Sequence, residues 1–252
     1  MNKRGQITIF VILGIMFAVA IYFIFLVDRK PTTQTRGQNL DNPESFIDDC
    51  ISEEYEKSVD TIMSHGGFPN SLDNILYKGT EIAYLCKNEN YYQPCVNQHP
   101  LYLKEVEQEI LNEVSDKVSQ CFSSLEQELL RKNYLIDAGS ISLDVQVKPK
   151  ITQFSVDRSF VISKGGDSRT YQHFDFFVSS PLYEMALIVQ EIVSQEAKWC
   201  YFSNDGFMIL YDEFDIRKDV LGDNTKIYTI EHKKTGKKMT FAIRGCVIPN
   251  GF

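Results

Sequence analysis

The run ITIFVILGIMFAVAIYFIFLV, from Ile7 to Val27, carries no charge, and Thr8 and Tyr22 are its only polar side chains. At about 1.5 Å per residue, a helix of this length reaches roughly 30 Å, the thickness of a bilayer's hydrocarbon core. A soluble helix this long seldom lacks a polar face, which argues against a buried core helix. A cleavable secretory signal is the stronger rival, but its apolar region spans about 7–15 residues and ends at a small-residue site. Here the run is longer, and Asp28-Arg29-Lys30 comes next with no A-x-A pattern. The segment is therefore expected to be retained and to cross a lipid bilayer once, through residues 7–27. Lys3 and Arg4 precede it and Arg29 and Lys30 come after it, so the basic flanks give only a weak vote for an inside N-terminus.

Beyond the run the chain changes character. Its 252 residues are 43% hydrophobic and 24% charged, ordinary usage for a folded domain with a core. Without Lys3 and Arg4, 24 basic residues stand against 34 acidic ones, a net of -10. That balance argues against a nucleic-acid partner and against a polybasic surface that clings to anionic lipid. Pro31 disfavours helix at the residue before it, and Thr32 to Ser45 holds Gly37, Pro43 and little that is apolar besides Leu40. Residues 28–45 thus read as a flexible linker, 1–27 as the anchor and 46–252 as an extracytoplasmic domain.

Periodicity predicts three helices in that domain. Ile47, Ile51, Tyr55, Val59 and Ile62 form a stripe over about 44–65, stopped by Gly66-Gly67. Val106, Ile110, Val114, Val118, Phe122, Leu125 and Leu129 form a longer one over about 103–132. A third helix comes after Ser180-Pro181, read as cap residue and first-turn proline, and carries Leu182, Met185, Val189, Ile192 and Val193. Strict alternation from Ile141 to Lys148 predicts a half-buried strand. Residues 155–163 and 171–178 predict a hairpin around Gly165-Gly166, and 226–232 with 239–247 a second one around KKTGKK. The expected fold class is α+β: a transmembrane helix, a linker, and an ectodomain with a helical half (46–135) and an antiparallel β half (136–252) holding one further helix.

The six cysteines, Cys50, Cys86, Cys95, Cys121, Cys200 and Cys246, all lie beyond the apolar run. An even count on one side of a membrane fits an oxidising compartment. Sequence alone does not choose among the 15 possible pairings; the expected set joins Cys50 to Cys121 between the first two helices, Cys86 to Cys95 around CKNENYYQPC, and Cys200 to Cys246 between the third helix and the last strand. The alternative is six buried thiols in a cytosolic head. No C-x2-C pair or HExxH frame marks a metal site, and each of His65, His99, His173 and His232 is expected to be structural. Nucleophile signatures such as G-x-S-x-G are absent, and no residue pattern calls for a cofactor. Within the acidic stretch from Asp205 to Asp223, the residues Asp212, Glu213, Asp215 and Asp219 form a weak calcium candidate, with a solvated charged loop as the plainer reading. Tyr84, Tyr91, Tyr92 and Tyr102 surround the Cys86–Cys95 loop, either as core or as contact surface.

The motif Lys3-Arg4-Gly5-Gln6, opening the apolar run, resembles the class III signal peptide of archaeal type IV pilin-like proteins. The resemblance covers about the first 27 residues and implies cleavage between Gly5 and Gln6 by a prepilin-type peptidase. It further implies other surface or pilus proteins as partners. The chain departs from that family at Phe10, where many members carry a Glu used in assembly, and at Pro31, where the apolar helix would end instead of running into the head. The expectation is a single-pass, membrane-anchored extracytoplasmic protein with a structural, adhesive or protein-interaction role, a non-enzyme rather than an enzyme. The alternatives are a true type IV pilus-like filament subunit, a membrane-tethered hydrolase with an unrecognised site, and a partner subunit of a membrane complex.

Overall fold

Asn42 opens the first helix by accepting the Glu44 N–H at 3.2 Å, with Pro43 in the first turn, where its missing N–H costs nothing. Helix α1 thus runs from Pro43 to Ser64 and takes in three residues assigned to the linker by sequence. The computed structural model describes residues 42–248 together with Met16. The Lys3-Arg4-Gly5-Gln6 motif, the apolar run apart from Met16, and the linker up to residue 41 lie outside the described residues. Among the described residues, no helix is long and apolar enough to cross a membrane. The described residues 42–248 lie within one compact unit.

The order after α1 is β1 (Asn74–Tyr77), β2 (Thr80–Lys87), β3 (Val96–Asn97), α2 (Tyr102–Arg131), β4 (Leu135–Ala138), β5 (Ser142–Lys148), β6 (Ile151–Lys164), β7 (Asp167–Ser179), α3 (Leu182–Trp199), α4 (Asn204–Leu210), β8 (Phe214–Val220), β9 (Lys226–His232) and β10 (Lys238–Arg244). The domain is α+β with two sheets. One has the order β1-β2-β10-β9-β8, with β3 also paired to β2. Its β2–β10 pairing is parallel and joins an early strand to a late one. Strands from both stretches, 46–135 and 136–252, share this sheet. In the other sheet, β5 and β4 lie end to end along one edge of β6, while β7 pairs along the opposite edge.

All three long helices bury the stripes that their periodicity predicts. Helices α1 and α3 each touch both sheets, and α2 packs on α1, β4 and β5. Gly66 and Gly67 end α1 at φ +74° and +97°, and the Gly67 N–H returns to the Ile62 carbonyl at 2.9 Å. A Cβ on Gly67 would sit 2.9 Å from Val106, so the stop signal is also a packing requirement. Helix α3 begins one residue later than expected: Pro181 precedes it, and Ser180 Oγ accepts the Leu182 N–H at 3.3 Å. The hairpin at Gly165-Gly166 is a two-residue turn between Lys164 and Asp167, both glycines at positive φ.

Buried polar groups tie the helices to the strands. Tyr55 on α1 places its hydroxyl 2.7 Å from Thr152 Oγ1 and 2.8 Å from Ser180 Oγ, and burial pushes its pKa up to about 12. Glu107 on α2 accepts the Val147 N–H of β5 at 2.9 Å. Glu196 on α3, fully buried, accepts from Tyr228 and Lys226 of β9.

The structure pairs Cys50 with Cys121, Cys86 with Cys95 and Cys200 with Cys246, the three pairs expected from sequence, at Cα separations of 5.9, 5.3 and 6.0 Å. None of the six cysteines is free. Alkylation of unreduced, denatured protein should therefore label no cysteine, read by intact mass. The double variant C50A/C121A, which opens a 71-residue separation, should lose about 2–5 kcal/mol. The corresponding fall in melting midpoint is roughly 5–15 °C.

Candidate functional surface

Two of the three bridges meet at one corner of the domain. Cys86 lies near the end of β2 and closes the loop through Asn90 to Cys95. A Cβ on Gly245 would lie 3.2 Å from Cys95 Cβ, a tight contact, and the next residue, Cys246, pairs with Cys200. The Cys246 N–H donates to the Gln93 carbonyl at 2.6 Å, and the Tyr92 N–H to that of Val247 at 3.0 Å. The loop and the segment after β10 thus hold each other by backbone bonds.

Asn88 is the internal strut of this corner. It is buried, and its amide donates to the carbonyls of Asn90 at 2.5 Å and Gln93 at 3.0 Å. Arg244 donates to the Asn88 carbonyl and to its Oδ1, both at 3.1 Å, and its guanidinium lies 5.6 Å from the Tyr91 ring centroid. The outer face is aromatic. Tyr91 and Tyr92 are 45% and 63% exposed, and Trp199 and Tyr201, on either side of Cys200, are 66% and 59% exposed. Beside the loop lies an open cleft of about 680 Å³, with the Asp73–Lys87 ion pair, Asn88 and Arg244 in its wall. Exposed aromatic rings and Arg are residue types enriched at contact surfaces. The four tyrosines noted by sequence divide: Tyr84 and Tyr102 are core, Tyr91 and Tyr92 are surface. Asn88 and Arg244 carried no sequence signal.

The calcium candidates do not converge. Asp215 and Asp219 sit on β8, four residues apart in a strand, a separation of roughly 13 Å that no single ion bridges. Asp215 pairs with Arg217 at 2.9 Å, and Asp219 bonds the Tyr77 hydroxyl, which holds its carboxyl below the usual carboxylate range. Among the described residues, no three His, Cys, Asp or Glu side chains are placed to hold a metal. The plain reading of a charged loop needs correction too: Phe214 and Ile216 face the core and make this stretch a strand.

The histidines have structural partners. His65 caps α1, His99 stacks on Phe68 with centroids 3.8 Å apart, and His232 meets Thr235 at 2.8 Å. His173 is the most charged setting: Nδ1 lies 2.7 Å from Asp157 and Nε2 3.0 Å from Asp175, while Ser155 donates to Asp175 at 2.7 Å. These residue types match a hydrolase triad, but the connectivity does not. Activation needs a serine donating to a free imidazole nitrogen, whereas both ring nitrogens here face carboxylates.

Comparison with protein-family models, curated proteins and solved structures finds no match.

Replacing Asn88 by Ala should remove its side-chain bonds to the Asn90 and Gln93 carbonyls and from Arg244, which keeps the carbonyl of residue 88, and should cost about 1–3 kcal/mol. Hydrogen exchange should then accelerate at residues 89–95 while α2 stays protected. Hydrogen bonds to Asp157 and Asp175 raise the His173 pKa above its ordinary value. A raised folded value stabilises below the unfolded pKa and is lost as pH rises through the folded one. An imidazole titration by NMR should place the His173 midpoint above 6.5, and D157N should bring it down.

Proposed function

We propose that the chain is a single-pass membrane protein whose domain works outside the cytoplasm in a structural, adhesive or protein-interaction role. The corner built on Cys86–Cys95 and Cys200–Cys246 is its contact surface. The observation that carries this reading is the complete pairing of six cysteines. Disulfides of this kind persist in oxidising compartments, and all six cysteines lie beyond the apolar run 7–27. The run supplies the anchor by length and composition. The resemblance of Lys3-Arg4-Gly5-Gln6 to pilin-like signals supplies a route of export and a processing site at Gly5-Gln6.

The expected behaviour is retention in the membrane pellet after carbonate extraction, with the domain degraded by protease added to intact cells. N-terminal sequencing of the mature chain should begin at Gln6. A chain freely dissolved by carbonate would sink the anchored reading. An intact Met1 would remove the pilin-like processing alone.

A further inference from the structure

The inner face of the β6–β7 hairpin changes chemistry along its length. Where helices cover it the face is apolar: Phe154, Phe160, Phe174 and Phe176 are all buried. The register carries the same face on toward the turn, with Tyr171 opposite Phe160, Arg169 opposite Ile162 and Asp167 opposite Lys164. Tyr134, the residue before β4, joins it, its ring centroid 4.4 Å from the Lys164 ammonium. Two helices reach an end here, α1 beginning at Pro43 and α2 stopping two residues after Leu129. Between them lies a cleft of about 290 Å³. Buried Pro43, Leu129 and Ile162 contribute its apolar lining, half-buried Tyr134 and Tyr171 its rings, and exposed Lys164, Arg169 and Asp167 its charges.

Those three charges are open. Among the described residues, the side chains of Arg169 and Asp167 have no hydrogen-bond or ion-pair partner, and Lys164 has only the Tyr134 ring. Elsewhere this acidic domain sets cation against carboxylate, as in Arg158–Glu126 at 2.7 Å and Arg217–Asp215 at 2.9 Å. We propose that the cleft binds an acidic sugar, a saccharide ring that carries a carboxylate. The lining meets each part of such a ring. Arg169 offers a planar fork that matches a carboxylate with two parallel bonds, and Lys164 adds a second positive charge. Asp167 accepts from ring hydroxyls. The two tyrosines have apolar ring bodies for the C–H faces of the sugar and phenol tips for its oxygens. This set selects among anions: a flat aromatic acid brings no hydroxyl for Asp167 and meets it only as repulsion. The cleft is near the lower end of ligand-site volumes, about 300 Å³, which suits one or two rings. The proposal rests neither on the anchor nor on the Cys86–Cys95 corner.

The test titrates three probes into the purified full-length chain, read by ligand-observed NMR: digalacturonate, its uncharged counterpart digalactose, and benzoate. Digalacturonate should bind, and digalactose should bind about tenfold more weakly for want of the charge-assisted bonds. K164A/R169A removes both cations at exposed positions. It should keep the parent's melting midpoint and lose about tenfold or more in affinity. R169K keeps the charge but not the fork, and should weaken digalacturonate severalfold even if the double variant folds poorly. Y91A, in the Cys86–Cys95 loop, should bind as the parent does. No binding of digalacturonate up to about 10 mM would overturn the proposal. So would equal affinity in the parent and in K164A/R169A or R169K. Benzoate or digalactose binding as tightly as digalacturonate would overturn the assignment to an acidic sugar.

Discussion

Helices α1 and α3 each touch both sheets, so a polar group on their buried faces must find its partner within the protein. This constraint shapes the domain. Each long helix carries one buried polar side chain that reaches a strand: Tyr55 from α1, Glu107 from α2 and Glu196 from α3. Left unmade, such a bond costs far more than its formation gains. The three contacts therefore act mainly on register. A helix slid by one turn would still bury Leu and Val, but it would strand a carboxylate or a phenol. Apolar stripes bring the layers together, and these groups select one alignment among many greasy ones.

The same division of labour explains the corner that carries the proposed contact surface. Covalent bridges fix where the loop and the chain after β10 come together, while Asn88 and Arg244 satisfy carbonyls that the turn leaves unpaired. Exposed rings can then stand outward without help from the core. Tyr92 itself sits at φ +62°, a conformation that a bulky residue adopts only where its surroundings impose it. The loop is thus more ordered than its exposed tyrosines alone would imply.

Local physics was readable in the sequence, and long-range pairing was not. Helix stripes such as Val106 to Leu129 and the turn at Gly165-Gly166 depend on neighbours within a few residues, and they appear as read. Strands β1 and β2 went unread although Lys78-Gly79 makes the same kind of two-residue turn, with φ of 49° and 88°. Dense charge hid β8, where alternation of Phe214 and Ile216 with Asp215 and Arg217 was the available signal. The His173 cluster forms across a strand pair, Asp157 lying 16 residues away, and no periodicity points to it. The three bridges agree with the expected set, although no periodicity joins Cys200 to Cys246 and the sequence alone left 15 pairings open. Arg244 and Asn88 meet only because β10 lies parallel to β2, and composition contains no trace of that choice.

That parallel strand pair also sets an order of events. Residues near position 85 await residues near position 243 before the larger sheet has its centre. Until the latest described strand is made, β2 has an open edge. Contacts so distant along a chain slow folding, because a long loop must close before any reward arrives. Cysteines 86 and 95 can find each other as soon as both emerge, whereas Cys200 must wait for Cys246. During synthesis, then, the domain holds an interval in which one thiol is unmatched and one strand edge stands bare, and any factor that guards nascent chains would find its opening there.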